Sequence, residues 1–255
     1  MSFDVAADAY GRFMGRWSEP LAEQFLELAG VQPGQRVLDV GCGPGALTGL
    51  LVDRLGPAAV SAVDPSESFV AATGARFPEA DVRSAVAEQL PFPDASFDVT
   101  AAQLVVHFMT DPVAGLREMT RVPRPSGVVA ACVWDHAGGG GPLAGFWRAV
   151  RELDPDAQDE SGLAGARESH LAELFEAAGL TGVEPTTLTV RVGFADFADW
   201  WEPFTLGVGP AGAYVRGLDA AQREALRASC AEQLPSGPFE VAATTWAVRG
   251  TPLDG

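Results

Sequence analysis

A doubly wound α/β fold built on a parallel sheet is what this chain of 255 residues predicts, on three observations. Short runs of β-branched and apolar residues alternate with segments of helical period, the pattern of strand, crossover helix and strand. The run Val37-Leu38-Asp39-Val40 breaks into Gly41-Cys42-Gly43-Pro44-Gly45 just before Ala46-Leu47-Thr48-Gly49-Leu50-Leu51 takes up a helical pattern. Glycine there lets the backbone turn at positive φ and lets a ligand lie against bare N–H groups. A second strand, Ala59-Val60-Ser61-Ala62-Val63, ends in Asp64. That is about 20 residues past the glycines, where a carboxylate can take both hydroxyls of a ribose. Loop and acid together specify an adenosine site, with ligands expected at the carboxyl ends of the strands.

The elements follow in order. Ser18 is expected to cap a helix with Glu19 and Pro20 in its first turn; Leu21, Phe25 and Leu28 form its apolar face and Gly30 ends it. Strands are expected at 36–40, 59–64, 81–86, 97–103 and 127–134, with helices at 46–55, 66–76, 111–122 and 142–153. Residues 153–162 are polar and punctuated by proline and glycine, so they read as a solvated loop. A helix over 168–178, with Leu171, Leu174 and Phe175 on one face, stops at Gly179 and feeds a strand near 183–193. An aromatic stretch from Phe194 to Phe204 and a helix over 219–233 precede a last strand at 239–248.

Composition narrows the function. Hydrophobic residues make up 47% of the chain, enough for a packed core, and the net charge of −17 repels phosphate backbones and anionic membranes. Nucleic acid is therefore not the expected substrate, and a membrane is not an expected partner. Cys42, Cys132 and Cys230 have no CxxC or zinc spacing, and their odd number argues against a disulfide framework, so a cytoplasmic setting is expected. The first residues, Met1 to Asp4, carry no basic and apolar leader, and no apolar run approaches the roughly 20 residues of a membrane span. No histidine and carboxylate cluster has metal-ligand spacing, so no metal is expected.

Spacing alone leaves a nicotinamide dinucleotide open, because Ala46 follows Gly43 by three places. Several motifs occur in a characteristic order: Asp39 before the Gly-Cys-Gly-Pro-Gly turn, Asp64-Pro65-Ser66, the segment Leu90-Pro91-Phe92-Pro93-Asp94-Ala95-Ser96-Phe97-Asp98, and Arg124-Pro125-Ser126-Gly127. The chain thereby resembles the class I S-adenosylmethionine-dependent methyltransferases, most nearly the small-molecule branch that includes the ubiquinone and menaquinone C-methyltransferases. By motif the resemblance covers the first half, and by layout the second. It implies a mostly parallel, Rossmann-like sheet of seven strands whose last strand runs antiparallel to the sixth. Residues 194–237 then become a helical cap inserted over the cofactor site. Residues 1–30 are an arm and helix, and 31–193 with 238–255 form the cofactor domain.

The resemblance also implies S-adenosyl-L-methionine as cofactor and a small-molecule methyl acceptor, handled by a monomer or homodimer. Gly41, Cys42, Gly43 and Gly45 would cradle the cofactor, with Asp39 supporting the turn and favouring the sulfonium, and Asp64 with Pro65 meeting the ribose. The family's acidic and small adenine-binding pair falls on Val86 and Ala87. Valine cannot accept from the adenine amino group, which leaves backbone, water or Glu88. The backbone carbonyl of Gln103 would meet the methionine amino group. Arg16 is expected either to pair with the methionine carboxylate while Tyr10 closes the pocket, or to make a salt bridge from an arm docked on the sheet.

His107, after the fourth strand, is the expected general base, its ordinary pKa near 6.5 suiting that task, with a core histidine as the alternative. His136, following Trp134-Asp135, is the competing base. Trp134, Trp200, Trp201 and Phe204 are expected to wall an apolar acceptor pocket, or, for the residues of the cap, to form its core. The expected function is O-, N- or C-methylation of a small molecule, of the kind found in secondary metabolism. A methyltransferase-like cyclase, a non-catalytic binder and a nicotinamide-dependent oxidoreductase are the alternatives.

Overall fold

The computed structural model describes residues 7–253; the ends of the expected arm and of the expected cofactor domain, residues 1–6 and 254–255, lie outside the described residues. Its core is one sheet of seven strands: β1 (Val37–Val40), β2 (Val60–Asp64), β3 (Asp81–Ser84), β4 (Phe97–Gln103), β5 (Pro123–Trp134), β6 (Leu180–Phe194) and β7 (Phe239–Pro252). The order across the sheet is β3-β2-β1-β4-β5-β7-β6. The first five strands are parallel, while β7 runs antiparallel to both β5 and β6, as expected. All of β1 and β2 and nearly all of β4 are buried, which is why these strands read as unbroken apolar runs rather than alternating ones. The order reverses between β1 and β4, and that switch point is where a doubly wound sheet opens a crevice.

Helices cover both faces: α1 (Ala7–Tyr10), α2 (Arg16–Leu28), α3 (Ala46–Leu55), α4 (Glu67–Arg76), α5 (Pro112–Arg121), α6 (Ala144–Leu153) and α7 (His170–Ala177). One face packs Phe25, Leu51 and Phe146 against the sheet, the other Leu116, Met119 and Phe175. The Leu90–Asp98 segment is tied to α5 by polar contacts. The Leu90 N–H donates to Glu118 Oε2 (2.9 Å), and the Arg121 guanidinium donates to the Phe92 carbonyl (2.9 Å) and to Asp94 (2.6 Å). Pro185 is tolerated within β6 because that strand forms an edge of the sheet. No helix of the described residues is long and apolar enough to cross a membrane.

The arm differs from expectation. From Ala7 to Leu28 the backbone is continuously helical, with a π turn at Gly11–Gly15, so Ser18 lies buried inside α2 instead of capping it. The cause is a stripe at intervals of four, Phe13, Trp17, Leu21 and Phe25, all buried, which carries the helical pattern upstream of Ser18. Arg16 takes the second of its expected roles. Its guanidinium grips Asp199 with both nitrogens (2.8 and 3.1 Å) and lies 4.6 Å from the ring centroid of Phe194. That engagement leaves it docking the arm, a correction to its assignment to a cofactor carboxylate.

Between β6 and β7 run α8 (Phe197–Trp201), a short 3-10 turn at Glu202–Leu206, α9 (Gly209–Gly217) and α10 (Ala220–Glu232), the last opened by a capping box of Asp219 and Gln222. The aromatics of this insertion pack inward. Phe204 stacks on Phe146 of α6 (4.5 Å, 8°) and meets Phe13 edge-on (5.3 Å), while Trp200 and Trp201 are buried beside it. These three side chains fasten the insertion to the arm and to α6, the core-forming alternative of the two expected for them.

The Arg16 and Asp199 pair is bidentate and partly buried, so alanine replacements made singly and together should give a coupling of about 1 kcal/mol in chemical denaturation. Strictly additive losses would show that the pair does not hold the arm to the insertion.

Candidate active site

The site begins where β1 passes into α3. Gly41 sits at φ +72°, and a Cβ added there would lie 2.4 Å from Cγ2 of Val105. The amides of Gly41 and Cys42 both donate to the Val63 carbonyl (2.8 and 3.0 Å), and that of Gly43 donates to Asp64 Oδ2 (2.9 Å). The Thr73 hydroxyl donates to the Gly43 carbonyl (2.8 Å). Gly43, at φ +52°, is open on its other flank, where an added Cβ would meet nothing within 4 Å. The Cys42 side chain is buried, and burial followed by the nearby Asp39 pushes its thiol up, so its part in the loop is played by backbone.

Two carboxyl groups anchor the turn. Asp39 is 1% exposed and accepts from the Thr48 hydroxyl (2.6 Å); burial pushes its pKa up to about 7, against the lowering effect of that hydrogen bond. Asp64 accepts from the Gly43 and Ser66 amides, and burial raises its pKa as well. Ser66 precedes α4, but its hydroxyl is paired with that of Ser68 (2.9 Å) and does not cap the helix.

A cavity of about 450 Å³, its open mouth included, lies at the switch point between β1 and β4, bordered by Tyr10, Gly41, Asp64, Pro65, Gln103 and Phe108. Burial and the proximity of Asp64 push the Tyr10 hydroxyl up to about 12. Gln103 donates its amide to the Ser18 carbonyl (2.8 Å), which leaves Gln103 Oε1 buried with no partner. Val86 stands 46% exposed beyond β3, while Ala87 is buried. Glu88 turns away to the start of α5, where Oε1 accepts from the amides of Thr110 (2.7 Å) and Asp111 (3.1 Å), so it is not poised for adenine.

A second cavity, about 440 Å³ with its mouth, shares Tyr10, Leu104 and Phe108 with the first and adds His107, Trp134, His136 and Glu160. Leu104 follows β4 directly at φ +63°, a strained conformation for a branched side chain at the junction of the two spaces. His107 and His136 stand 5.9 Å apart between ring centroids. Burial, then the neighbouring His136, holds His107 well below its usual range, and burial lowers His136 to about 4 against the pull of Asp159 and Asp135. Both rings are therefore neutral near pH 7 and able to accept a proton.

Glu160 is a correction to the solvated loop. It is 3% exposed, and burial pushes its pKa up to about 7, offset in part by its own backbone amide and the Trp147 indole. Its Oε2 and the Trp147 N–H are each without a partner in hydrogen-bond geometry. From the insertion, Val208, Gly209 and Pro210 reach this second cavity, whereas Trp200 and Phe204 border a separate crevice with Arg16 and Phe194. Sequence reasoning missed Glu160, Val208 and Pro210; one acid in a polar stretch and two apolar residues at the start of a helix carry no local signal.

Comparison with known proteins bears on the fold and the reaction class. Residues 38–131 match a family described as "Methyltransferase domain". The ubiquinone/menaquinone biosynthesis C-methyltransferase UbiE of Cupriavidus taiwanensis is 32% identical over 182 residues, which covers 64% of this chain and 74% of that one. Nocamycin O-methyltransferase of Saccharothrix syringae is 34% identical over 133 residues, covering 50% of this chain and 48% of that one. The match spans about half the length of several such curated relatives. Among solved structures, the YcgJ protein of Bacillus subtilis superposes with a TM-score of 0.60 at 17% identity, over 92% of this chain and 99% of that one, a likeness of fold.

Gly41→Ala should cost about 3 kcal/mol of stability, since it adds left-handed strain to a clash with Val105. A loss under a third of that in chemical denaturation would mean that the turn relaxes freely. Asp39 makes a pH prediction. With its folded pKa raised from 3.8 to about 7, its stabilising contribution is complete below pH 3.8 and is lost as pH rises through 7. Asp39→Asn should therefore remove a decline on the order of 4 kcal/mol across that window, read as the difference in denaturation midpoints between parent and variant.

Proposed function

The chain belongs to the class I S-adenosylmethionine-dependent methyltransferases, and from that premise we propose that it moves the cofactor's methyl group to a small organic acceptor bound in the second cavity. The observation that carries this reading is the junction of two cavities, one bordered by Gly41, Asp64 and Gln103, the other by His107 and His136, through Tyr10, Leu104 and Phe108.

The residues of the first cavity fit the cofactor. The open flank of Gly43 offers backbone that a ligand can lie against, and Gln103 Oε1 lacks the donor that an ammonium group would supply. Asp64 spends one lone pair of each oxygen on the loop and keeps others for ribose hydroxyls. Ala87 and Val86 would flank the adenine ring. When bound, the cofactor supplies a methyl group already activated by its sulfonium, so the chain's own residues have three tasks. They hold the acceptor in line, exclude water, and accept a proton where the acceptor must lose one. Alignment of this kind contributes up to roughly 7–11 kcal/mol. His107 is the proposed base, through Nδ1, which is buried and has no partner; His136 is its neighbour in the same wall. The related nocamycin O-methyltransferase and ubiquinone/menaquinone C-methyltransferase support a small-molecule acceptor.

Asp64→Ala should weaken S-adenosylhomocysteine binding by about 1.5–3 kcal/mol, the worth of hydrogen bonds to a charged group, with the fold intact. Calorimetry reads this directly, and an unchanged affinity would remove Asp64 from the site. Turnover is tested with cofactor carrying a labelled methyl group and a panel of phenols, amines and polyketide-like acceptors. With an acceptor found, His107→Ala should lower kcat at least about tenfold while S-adenosylhomocysteine affinity holds. Transfer to no acceptor, with the cofactor bound, would favour a cyclase or a binder over a methyltransferase.

A further inference from the structure

The second cavity carries polar chemistry that none of the sequence motifs contains. Glu160 opens the short 3-10 turn Glu160–Gly162 between α6 and α7; it is buried, and Oε2 has no partner in hydrogen-bond geometry, the Trp147 indole beside it being likewise unpaired in that geometry. Two more buried polar atoms of residues bordering the same cavity are unpartnered, His107 Nδ1 and Trp134 Nε1. They come from three places in the fold: the crossover between α6 and α7, the turn after β4, and the end of β5. Buried polar groups are almost always paired, so three unpaired ones around a single space point to a ligand that pairs them. Phe13, Met14, Leu143 and Val208 make the rest of the wall apolar.

The donor set limits what that ligand can be. An indole N–H only donates, a neutral imidazole nitrogen can accept, and a carboxyl oxygen accepts. An anionic group would oppose any ionisation of Glu160 and meet the field of a chain of net charge −17. A cation would find Glu160 alone, because Asp159 is turned to Arg151 and to the Ser161 amide. An uncharged hydroxyl can accept from Trp134 Nε1 and donate to one of the two acceptors, Glu160 or His107 Nδ1.

We propose that Glu160 is an acceptor-binding residue that takes the hydrogen bond of an uncharged hydroxyl, phenolic or enolic, on an apolar acceptor, while Trp134 Nε1 donates to an oxygen beside it. This rests on the reading of the second cavity as the acceptor site. It selects hydroxyl-bearing acceptors over amines and carboxylates, and it assigns that selection to a residue outside the segment shared with the methyltransferase-domain family.

The test is a fluorescence titration of the full chain saturated with S-adenosylhomocysteine, using 4-methylumbelliferone at slightly acid pH as the hydroxyl probe and its methyl ether as the probe without a donor. Glu160→Leu should weaken binding of the phenol at least about tenfold, a loss that corresponds to one strong hydrogen bond, and leave the ether unchanged. Glu160→Gln, which keeps an accepting oxygen, should restore the phenol to within a few-fold of the parent. Thermal unfolding and S-adenosylhomocysteine affinity, measured on each variant, report the fold and the cofactor site separately. The proposal is overturned if both probes weaken together, if neither responds, if the parent binds neither, or if a coumarin carboxylate binds more tightly than the phenol. Failure of the parent to bind S-adenosylhomocysteine would instead strike the cofactor reading. An intact cofactor site with a phenol indifferent to Glu160 strikes only this one.

Discussion

At Gly41 one added methyl group would lie 2.4 Å from Val105, so β1 can pass into α3 only along a backbone that residues with side chains cannot follow. The consequences spread from that point. Because the chain turns there, the amides of Gly41 and Cys42 reach the Val63 carbonyl at the end of β2, and the Gly43 amide reaches Asp64. Thr73 of α4 then closes on the Gly43 carbonyl from the far side. The loop is thus held by its protein neighbours on one flank and left open on the other. This is the arrangement that an anion or a polar ligand needs in order to meet backbone without paying for loop ordering. Val105, the residue that forbids a side chain at Gly41, follows directly on the strained Leu104, so the close approach of the β1 and β4 ends sets the mouths of both cavities.

Burial acts on every ionisable group around those cavities in the same direction, toward the neutral form. Asp39, Asp64 and Glu160 are raised and His107 and His136 lowered, in each case with desolvation as the largest cause. Water alone would leave these acids charged at neutral pH and the histidines partly charged. The interior instead makes charge costly until a ligand compensates it. A cationic cofactor would lower that cost for Asp39 and Asp64, and a neutral imidazole keeps the lone pair that a base requires.

Local backbone chemistry was the part of this fold that could be read from the chain. The glycine turn, Asp64, the alternation of strands and helices and the antiparallel last strand all stand where residue pattern or family resemblance put them. Each depends on neighbours in sequence or on a repeated motif. The arm shows the limit within that class: Phe13, Trp17, Leu21 and Phe25 hold a clean spacing of four, yet the glycines at 11 and 15 disguise the helix that carries them. Long-range partners were not readable at all. Arg16 meets an acid 183 residues away, and the aromatics of 200–204 are turned inward by Phe13 and Phe146, which nothing near them in sequence announces. Glu160 sits in a stretch whose composition is that of a surface loop; only the packing of α6 and of the loop after β5 around it makes it interior.

The two cavities differ in how the chain assembles them, and that difference governs what relatives can tell. Apart from Tyr10, the first is bordered by residues between Gly41 and Phe108, a continuous stretch inside the segment that matches the methyltransferase domain. The second draws on Phe13, Trp134, His136, Glu160 and Val208, which lie before or after that segment. Shared ancestry over residues 38–131 therefore supports a cofactor and a reaction type, because it covers the elements that hold the one and set up the other. It says little about the acceptor, whose proposed cavity is bordered by residues of the arm, the α6 to α7 crossover and the insertion between β6 and β7. Those segments are free to vary while the glycine turn stays constrained by Val105, so selectivity can change without disturbing the cofactor site. The acceptor is best sought through the unpaired atoms of His107, Trp134 and Glu160, since the hydrogen bonds they lack describe the molecule that completes them.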